Sequence, residues 1–271
     1  DEVKNIASEG CREIVLTGIE TAAYGRDSGG EFNLAGLMAQ LNDVPGIERI
    51  GLGSLEPTLM RERFLSEIAP LKTVLPHFHI SLQSGSSSVL KRMRRPYNAA
   101  QAMEFIRAVR EYFPQAMLTA DVIVGFPGET EAEFEETMAF CREAQFLHLH
   151  IFPYSIRPGT PAAKMKQVQK SVKEERAKRA ASVAAEMRQA YLEAWLWQQP
   201  FLRMFCSSLA CPCDLLKSCL ICTVRRIYGR MVKSMMTKLK ISFYSIVALC
   251  LASLAQFLVF VYCLRRLQKQ H

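Results

Sequence analysis

The sequence predicts an α/β protein: a partial (β/α) barrel of about five parallel strands with flanking helices, then a long helix and an irregular, hydrophobic helical tail. Three observations predict this. From residue 1 to about 195, apolar runs of strand length alternate with amphipathic stretches of helical period. Every apolar run ends in a cluster of small or polar residues. Beyond residue 195 both patterns stop together.

Strands are expected at Glu13–Thr17, Arg49–Gly53, Phe78–Leu82, Leu118–Val124 and His148–Pro153, and helices near 1–9, 32–42, 58–69, 98–113 and 131–144. Two helix starts carry a reciprocal capping signal, Thr130 with Glu133 and Ser171 with Glu174. Regular alternation of strand and helix implies parallel strands with crossover connections, which leaves an open doubly wound sheet or a barrel. The strand ends decide between them. Thr17-Gly18-Ile19-Glu20, Ser54-Leu55-Glu56-Pro57, Gln83-Ser84-Gly85, Gly125-Phe126-Pro127-Gly128-Glu129 and Tyr154-Ser155 are all ligand-ready. Five such ends converge on one place when the sheet curves into a barrel, whereas an open sheet concentrates its site at one switch point.

Pattern divides the chain into three parts: 1–167 (the partial barrel), 168–195 (a long charged helix, Lys170 to about Glu193) and 196–271 (a Cys-rich basic tail). Residues 1–200 carry 23 Lys+Arg against 25 Asp+Glu, but residues 201–271 carry 11 against the single Asp214. The net charge of +8 therefore belongs to the tail and gives no reason to assign nucleic-acid binding to the main domain. Cysteine divides the same way. Residues 1–200 hold only Cys11 and Cys141, both in apolar runs, which reads as a reduced, cytoplasmic domain. The segment 241–264 contains no charged residue and is long enough to span a bilayer. The chain opens on Asp1-Glu2-Val3-Lys4, helical in character and without an initiator Met, so its N-terminus reads as cut.

Three segments carry chemistry. In Asp121–Thr130 an apolar strand runs into a turn with Gly125 and Gly128 and then a capped helix, a geometry in which backbone approaches a ligand closely. The same glycines would serve a plain strand–turn–helix joint. In His79–Ser88, Gln83 and Ser84 leave the strand where a ribose or amino-acid group can be hydrogen-bonded. The basic run Lys91–Arg95 that follows suits RNA phosphate or, more simply, a solvated helix end. In Phe152–Thr160, Tyr154 and Arg157 stand just past a strand, in what alone would be an ordinary Pro/Gly loop.

Taken in order, Leu16–Gly25, Gly53–Pro57, His79–Gly85, Val89–Tyr97, Asp121–Thr130 and Phe152–Thr160 resemble the radical-SAM methylthiotransferases over about residues 1–195. The Ser54-Leu-Glu-Pro57 and Phe152-Pro-Tyr-Ser-Ile-Arg-Pro-Gly-Thr160 wording is most similar to the threonylcarbamoyladenosine-tRNA branch. The resemblance implies an S-adenosylmethionine-dependent transferase that inserts a methylthio group at C2 of an adenosine beside the anticodon. It implies two [4Fe–4S] clusters, one of them held by a Cys-x3-Cys-x2-Cys loop and generating the 5′-deoxyadenosyl radical. Its partners would be the tRNA anticodon stem-loop and an electron donor such as flavodoxin or ferredoxin. Carried over by motif, Gly18, Ser54, Glu56, Gln83, Ser84, Gly125 and Glu129 would surround S-adenosylmethionine, and Arg94, Tyr154 and Arg157 would contact cofactor or tRNA.

The chain departs from that pattern at both ends. No Cys-x3-Cys-x2-Cys occurs in it, so the implied clusters are not ligated by this chain and the chain alone is expected to be inactive. From about Trp195 the family's small β-barrel RNA-binding pattern is missing. The tail reads as out-of-frame sequence, with an authentic membrane anchor as the alternative. Two further readings stay open. His77-x-His79 and His148-x-His150 each put two imidazoles on one strand face, as in a metal-dependent barrel hydrolase. Both pairs fall at strand beginnings, however, the end of a barrel away from its active site. A membrane-anchored, non-catalytic protein reusing the barrel is the other reading, with the tail as its functional part; its one Cys-x2-Cys unit, Cys219 and Cys222, is a weak zinc signal.

Overall fold

The computed structural model describes residues 1–18, 21–25 and 33–198, all within the first of two compact units, 1–200. The Cys-rich tail and the apolar segment 241–264 lie outside the described residues. Among the described residues no helix is long and apolar enough to cross a membrane.

The chain alternates helix and strand: α1 (Glu2–Ser8), β1 (Glu13–Leu16), α2 (Leu34–Asn42), β2 (Arg49–Leu52), β3 (Ser54–Leu55), α3 (Glu62–Ile68), β4 (His77–Gln83), α4 (Ser87–Arg92), α5 (Ala99–Tyr112), β5 (Met117–Val124), α6 (Glu131–Ala144), β6 (His148–Pro153) and α7 (Lys170–Gln198). Every strand pairing is parallel, β1 with β2 and then β3-β4-β5-β6 in order. The expected strand at 49–53 is two strands, because the chain changes partners at Gly53. Its N–H donates to Leu16 O (2.8 Å), the last bond toward β1, and Ser54 then takes up register with His79 of β4. The result is the α/β, partially closed parallel architecture that the alternation predicts.

The layers follow from the period-2 alternation of the strands. On β4, Phe78, Ile80 and Leu82 are fully buried beneath the helices, while His77, His79, Ser81 and Gln83 face the concave side. On β5, Leu118, Ala120, Val122 and Val124 do the same, opposite Asp121 and Ile123. α5 contributes Ala102, Met103, Ile106 and Val109 to this outer core, and α6 contributes Phe134, Met138 and Cys141. Gly85 is required where β4 meets α6: a Cβ there would lie 2.4 Å from Phe140 Cβ.

Helix starts sharpen the sequence reading. Thr130 and Glu133 form the expected capping box, and Asn98 with Gln101 forms a second, at the start of α5. Ser171 does not cap. α7 begins one residue before it, at Lys170, so the Ser171 hydroxyl already stands inside the first turn.

Candidate functional site

A cavity of about 550 Å³ opens at the C-terminal ends of β4, β5 and β6, a size within the usual range for small-molecule sites, roughly 300–1,000 Å³. Gln83 from β4, Asp121 and Ile123 from β5, Phe152 and Pro153 from β6, and Tyr154, Ser155, Arg157 and Thr160 from the loop after β6 line it, together with Arg95 and Ala162.

Two features mark this as a place built for a ligand. Gln83 takes a left-handed backbone, φ +68°, that a non-glycine residue rarely adopts, and such strain persists only where the surroundings enforce it. The buried Tyr97 hydroxyl does so by donating to the Ser81 and Leu82 carbonyls, each at 3.1 Å. The Tyr154 hydroxyl is buried and makes no hydrogen bond within the protein, an omission that costs about 1–3 kcal/mol unless something else supplies a partner.

The floor is polar. Asp121 Oδ1 lies 3.1 Å from His79 Nε2, and His79 Nδ1 lies 2.8 Å from Thr119 Oγ1. His150 packs edge-on against both His79 (5.0 Å between ring centres) and His148 (4.8 Å). Burial, with a neighbouring imidazole's help, pushes His77 and His148 down. Both His pairs stand at the beginnings of their strands, β4 and β6, as expected, and His79 touches a residue that lines the cavity. Among the described residues no three His, Cys, Asp or Glu side chains are grouped to hold a metal ion.

Three of the sequence-predicted residues, Gln83, Tyr154 and Arg157, meet in the cavity. Glu56 stands one step behind its wall, Oε2 accepting from Thr58 Oγ1 (2.9 Å) and Oε1 lying 3.8 Å from Arg95 Nη1. Arg94 is exposed beside Arg95 and, like Gln83, has a positive φ, +58°. Gly18 follows β1, and Ser54, exposed at the start of β3, accepts from Thr21 Oγ1 (3.4 Å) through its carbonyl.

The structure does not bring the Ser84 and Glu129 side chains into the cavity. Ser84 is fully buried, its Oγ 3.0 Å from Thr137 Oγ1 on α6. Glu129 turns inward, where Oε2 accepts the Gly125 N–H (2.7 Å) and Arg176 Nη1 of α7 (2.8 Å). Burial pushes the Glu129 carboxyl up, opposed by that N–H and that guanidinium. Gly125 (φ +70°) makes the turn this carboxylate closes. Sequence reasoning missed Arg95, Asp121, Ile123 and Thr160 in the wall. For Asp121 the signal was present: a carboxylate inside the otherwise apolar run Met117–Val124 must face away from the helices.

S-adenosylmethionine fits this donor set. Arg95 and Arg157 suit a carboxylate, Asp121 and Gln83 suit ammonium or ribose groups, and Ile123 and Phe152 offer apolar surface to a base. An iron–sulfur cluster does not fit the described thiols. Cys141 is fully buried, its thiol pushed up to about 12 by that burial, and the Cys11 thiol donates to Glu13 O (3.2 Å).

The Radical SAM superfamily matches residues 1–141. The chain is 41% identical over 178 residues to the threonylcarbamoyladenosine tRNA methylthiotransferase MtaB of Rickettsia prowazekii, covering 65% of this chain and 42% of that protein. It is 39% identical over 179 residues to the tRNA-2-methylthio-N(6)-dimethylallyladenosine synthase of Desulforamulus reducens, covering 66% and 39%. Among solved structures, coproporphyrinogen III oxidase (HemN) of Escherichia coli aligns with a TM-score of 0.47 at 16% identity, covering 57% of this chain and 36% of that one. The chain spans about two fifths of the length of the curated relatives it matches. With the superfamily match extending over more than half its residues, the chain belongs to the radical SAM superfamily.

Proposed function

We propose that this chain is the barrel portion of a tRNA adenosine methylthiotransferase, holding S-adenosylmethionine in the cavity above β4–β6 and acting on C2 of threonylcarbamoyladenosine beside the anticodon. The observation that carries the reading is one cavity at the strand ends that gathers the strained Gln83 with Arg95, Asp121 and Arg157, in a chain 41% identical to a threonylcarbamoyladenosine tRNA methylthiotransferase over 178 residues. The threonylcarbamoyl target is supported by the Phe152–Thr160 wording.

When bound, S-adenosylmethionine supplies the radical precursor and the methyl group. Of the chain's own residues, Arg95 and Arg157 would balance its carboxylate, Asp121 and Gln83 would meet its polar groups, and Ile123 and Phe152 would offer apolar surface to its base. Because the sequence holds no Cys-x3-Cys-x2-Cys, and among the described residues the two thiols, Cys11 and Cys141, make no cluster site, this chain by itself is expected not to initiate the radical reaction. The tRNA anticodon stem-loop and a flavodoxin- or ferredoxin-type donor belong to the complete enzyme, in a reduced cytoplasmic compartment consistent with free Cys11 and Cys141. The division at 167 and 195, with 196–271 as an out-of-frame replacement for an RNA-binding domain, is part of the same proposal.

The test is equilibrium titration of the full chain with S-adenosylhomocysteine, which needs neither cluster nor electrons. Saturable binding, displaced by S-adenosylmethionine but not by adenosine 5′-monophosphate, is the expected result. No saturable binding up to millimolar ligand would overturn the reading.

A further inference from the structure

The loop after β6 lines the cavity, and this loop and the neighbouring β5–α6 turn are both held from behind by one helix. Lys173 of α7 lies against Gly125 so closely that a Cβ on that glycine would meet the Lys173 Cγ at 2.3 Å. The same lysine donates from Nζ to the Tyr154 carbonyl (3.0 Å) and stands over the Tyr154 ring, 5.6 Å from its centre. Tyr154 in turn donates its N–H to Val124 O (2.9 Å) and sets its ring edge-on to Phe126, 5.3 Å away, inside the β5–α6 turn. One turn of helix further along, Arg176 donates from Nη1 to both the carbonyl (3.1 Å) and Oε2 (2.8 Å) of Glu129, with side chains 5% and 1% exposed. That Oε2 is the atom that accepts the Gly125 N–H (2.7 Å). A single carboxylate oxygen therefore joins the first residue of the turn, its last residue and α7.

We propose that α7 is a buttress behind the ligand cavity, in which Lys173 and Arg176 are positioning residues that hold the Gly125–Glu129 turn and Tyr154 in the shape that accepts the adenosyl ligand. The proposal rests on the reading of the cavity given above. Its physical basis is the cost of an unpaired buried charge. Without Arg176 the Glu129 carboxylate is buried beside a lone N–H donor, and it escapes by swinging out or taking a proton. Either movement releases the Gly125 N–H and loosens the turn. Lys173 acts separately, since losing its ammonium frees the Tyr154 carbonyl while the aliphatic stem can stay against Gly125. A helix that merely stabilised the fold would, on substitution, loosen the sheet and the turn together.

The experiment is hydrogen–deuterium exchange with peptide resolution on the full chain, alongside S-adenosylhomocysteine titration, for the wild type, Arg176→Met, Arg176→Lys and Lys173→Met. The expected result for Arg176→Met is at least tenfold faster exchange in the peptide covering 124–130, with the β4 peptide 77–82 unchanged, and at least tenfold weaker ligand binding. Arg176→Lys should restore most of both, because the cation returns. Lys173→Met, which removes no buried charge and so leaves folding intact, should speed exchange at 153–156 and weaken binding. Uniform acceleration across turn and sheet, or unchanged ligand affinity in both Met variants, would overturn the proposal. If the wild type binds no S-adenosylhomocysteine, the cofactor reading alone falls, and the local exchange pattern still decides whether α7 holds the turn.

Discussion

His79 of β4 bridges two residues of β5, with Nε2 3.1 Å from Asp121 Oδ1 and Nδ1 2.8 Å from Thr119 Oγ1. The imidazole lies along the neighbouring strand, each ring nitrogen facing one polar partner. The arrangement holds in place Asp121, which lines the cavity.

His79→Ala should therefore cost stability as well as order. It leaves Asp121 and the buried Thr119 hydroxyl without their partner, a loss of about 1–3 kcal/mol. Urea unfolding should show that His79→Ala and Asp121→Ala together cost clearly less than the two separately, since both remove one interaction. Strict additivity would mean that the contact contributes nothing.

The acid side of the stability profile should come in part from Glu133. Arg92 donates to both its oxygens (2.9 and 2.7 Å), and this bond, ahead of the bonds from Ser88 and the Thr130 N–H, holds the carboxyl at about 2. A carboxyl depressed on folding adds stability that is complete above its ordinary value of 4.5 and is lost as pH falls toward about 2. Unfolding midpoints measured between those limits should fall less steeply in Glu133→Gln than in the wild type. The opposite sign applies to nothing at this position, so an unchanged slope would contradict the assignment.

How much of this was legible in the sequence depends on whether the determining contact is local. The Thr130–Glu133 cap was readable because its partners are three residues apart, and the five strand runs were readable because alternation is written in consecutive residues. The break at Gly53 was not, because it arises when one run serves β1 first and β4 second. Ser84 and Glu129 have the residue types of a binding site, but their side chains point to Thr137 and Arg176, 53 and 47 residues away. Arg95 enters the cavity after the chain turns through the positive φ of Arg94, which no composition cue announces at a non-glycine residue.

Gly85→Ala tests the close approach of the loop after β4 to α6. The added methyl would meet Phe140 Cβ at 2.4 Å and the Thr137 backbone Cα at 3.0 Å, and neither can move without shifting α6. Overpacking of this kind typically costs about 1–3 kcal/mol, so the urea midpoint should drop at unchanged slope. A wild-type midpoint would show that the β4–α4 joint is looser than the geometry states.

Cys141 should be chemically silent. It is fully buried among the α6 core residues, and burial pushes its thiol up to about 12, leaving almost no thiolate at neutral pH. Brief alkylation of the native chain, mapped by peptide mass spectrometry, should leave Cys141 unmodified while denatured chain is labelled there. Native labelling of Cys141 would mean that α6 opens far more readily than its packing implies, and would reopen the question of whether this thiol can serve as a ligand.

Gln83→Gly separates stability from function at one position. The left-handed backbone, φ +68°, is unfavourable for glutamine and free for glycine, so relief of strain should raise stability by up to about 1 kcal/mol, with the entropy of the unfolded glycine chain taking back a part. The amide that lines the cavity disappears with the same substitution. Chemical denaturation should thus show a chain as stable as the wild type or more so, and S-adenosylhomocysteine titration should show affinity reduced about tenfold, the loss of one well-placed polar contact at roughly 1.4 kcal/mol. Were the strain only an accident of the loop, stability would rise and affinity would hold. Were Gln83 instead a structural residue with no ligand to meet, stability would fall with affinity. Only the combination of preserved stability and lost binding identifies a residue held in strain for the sake of what it binds.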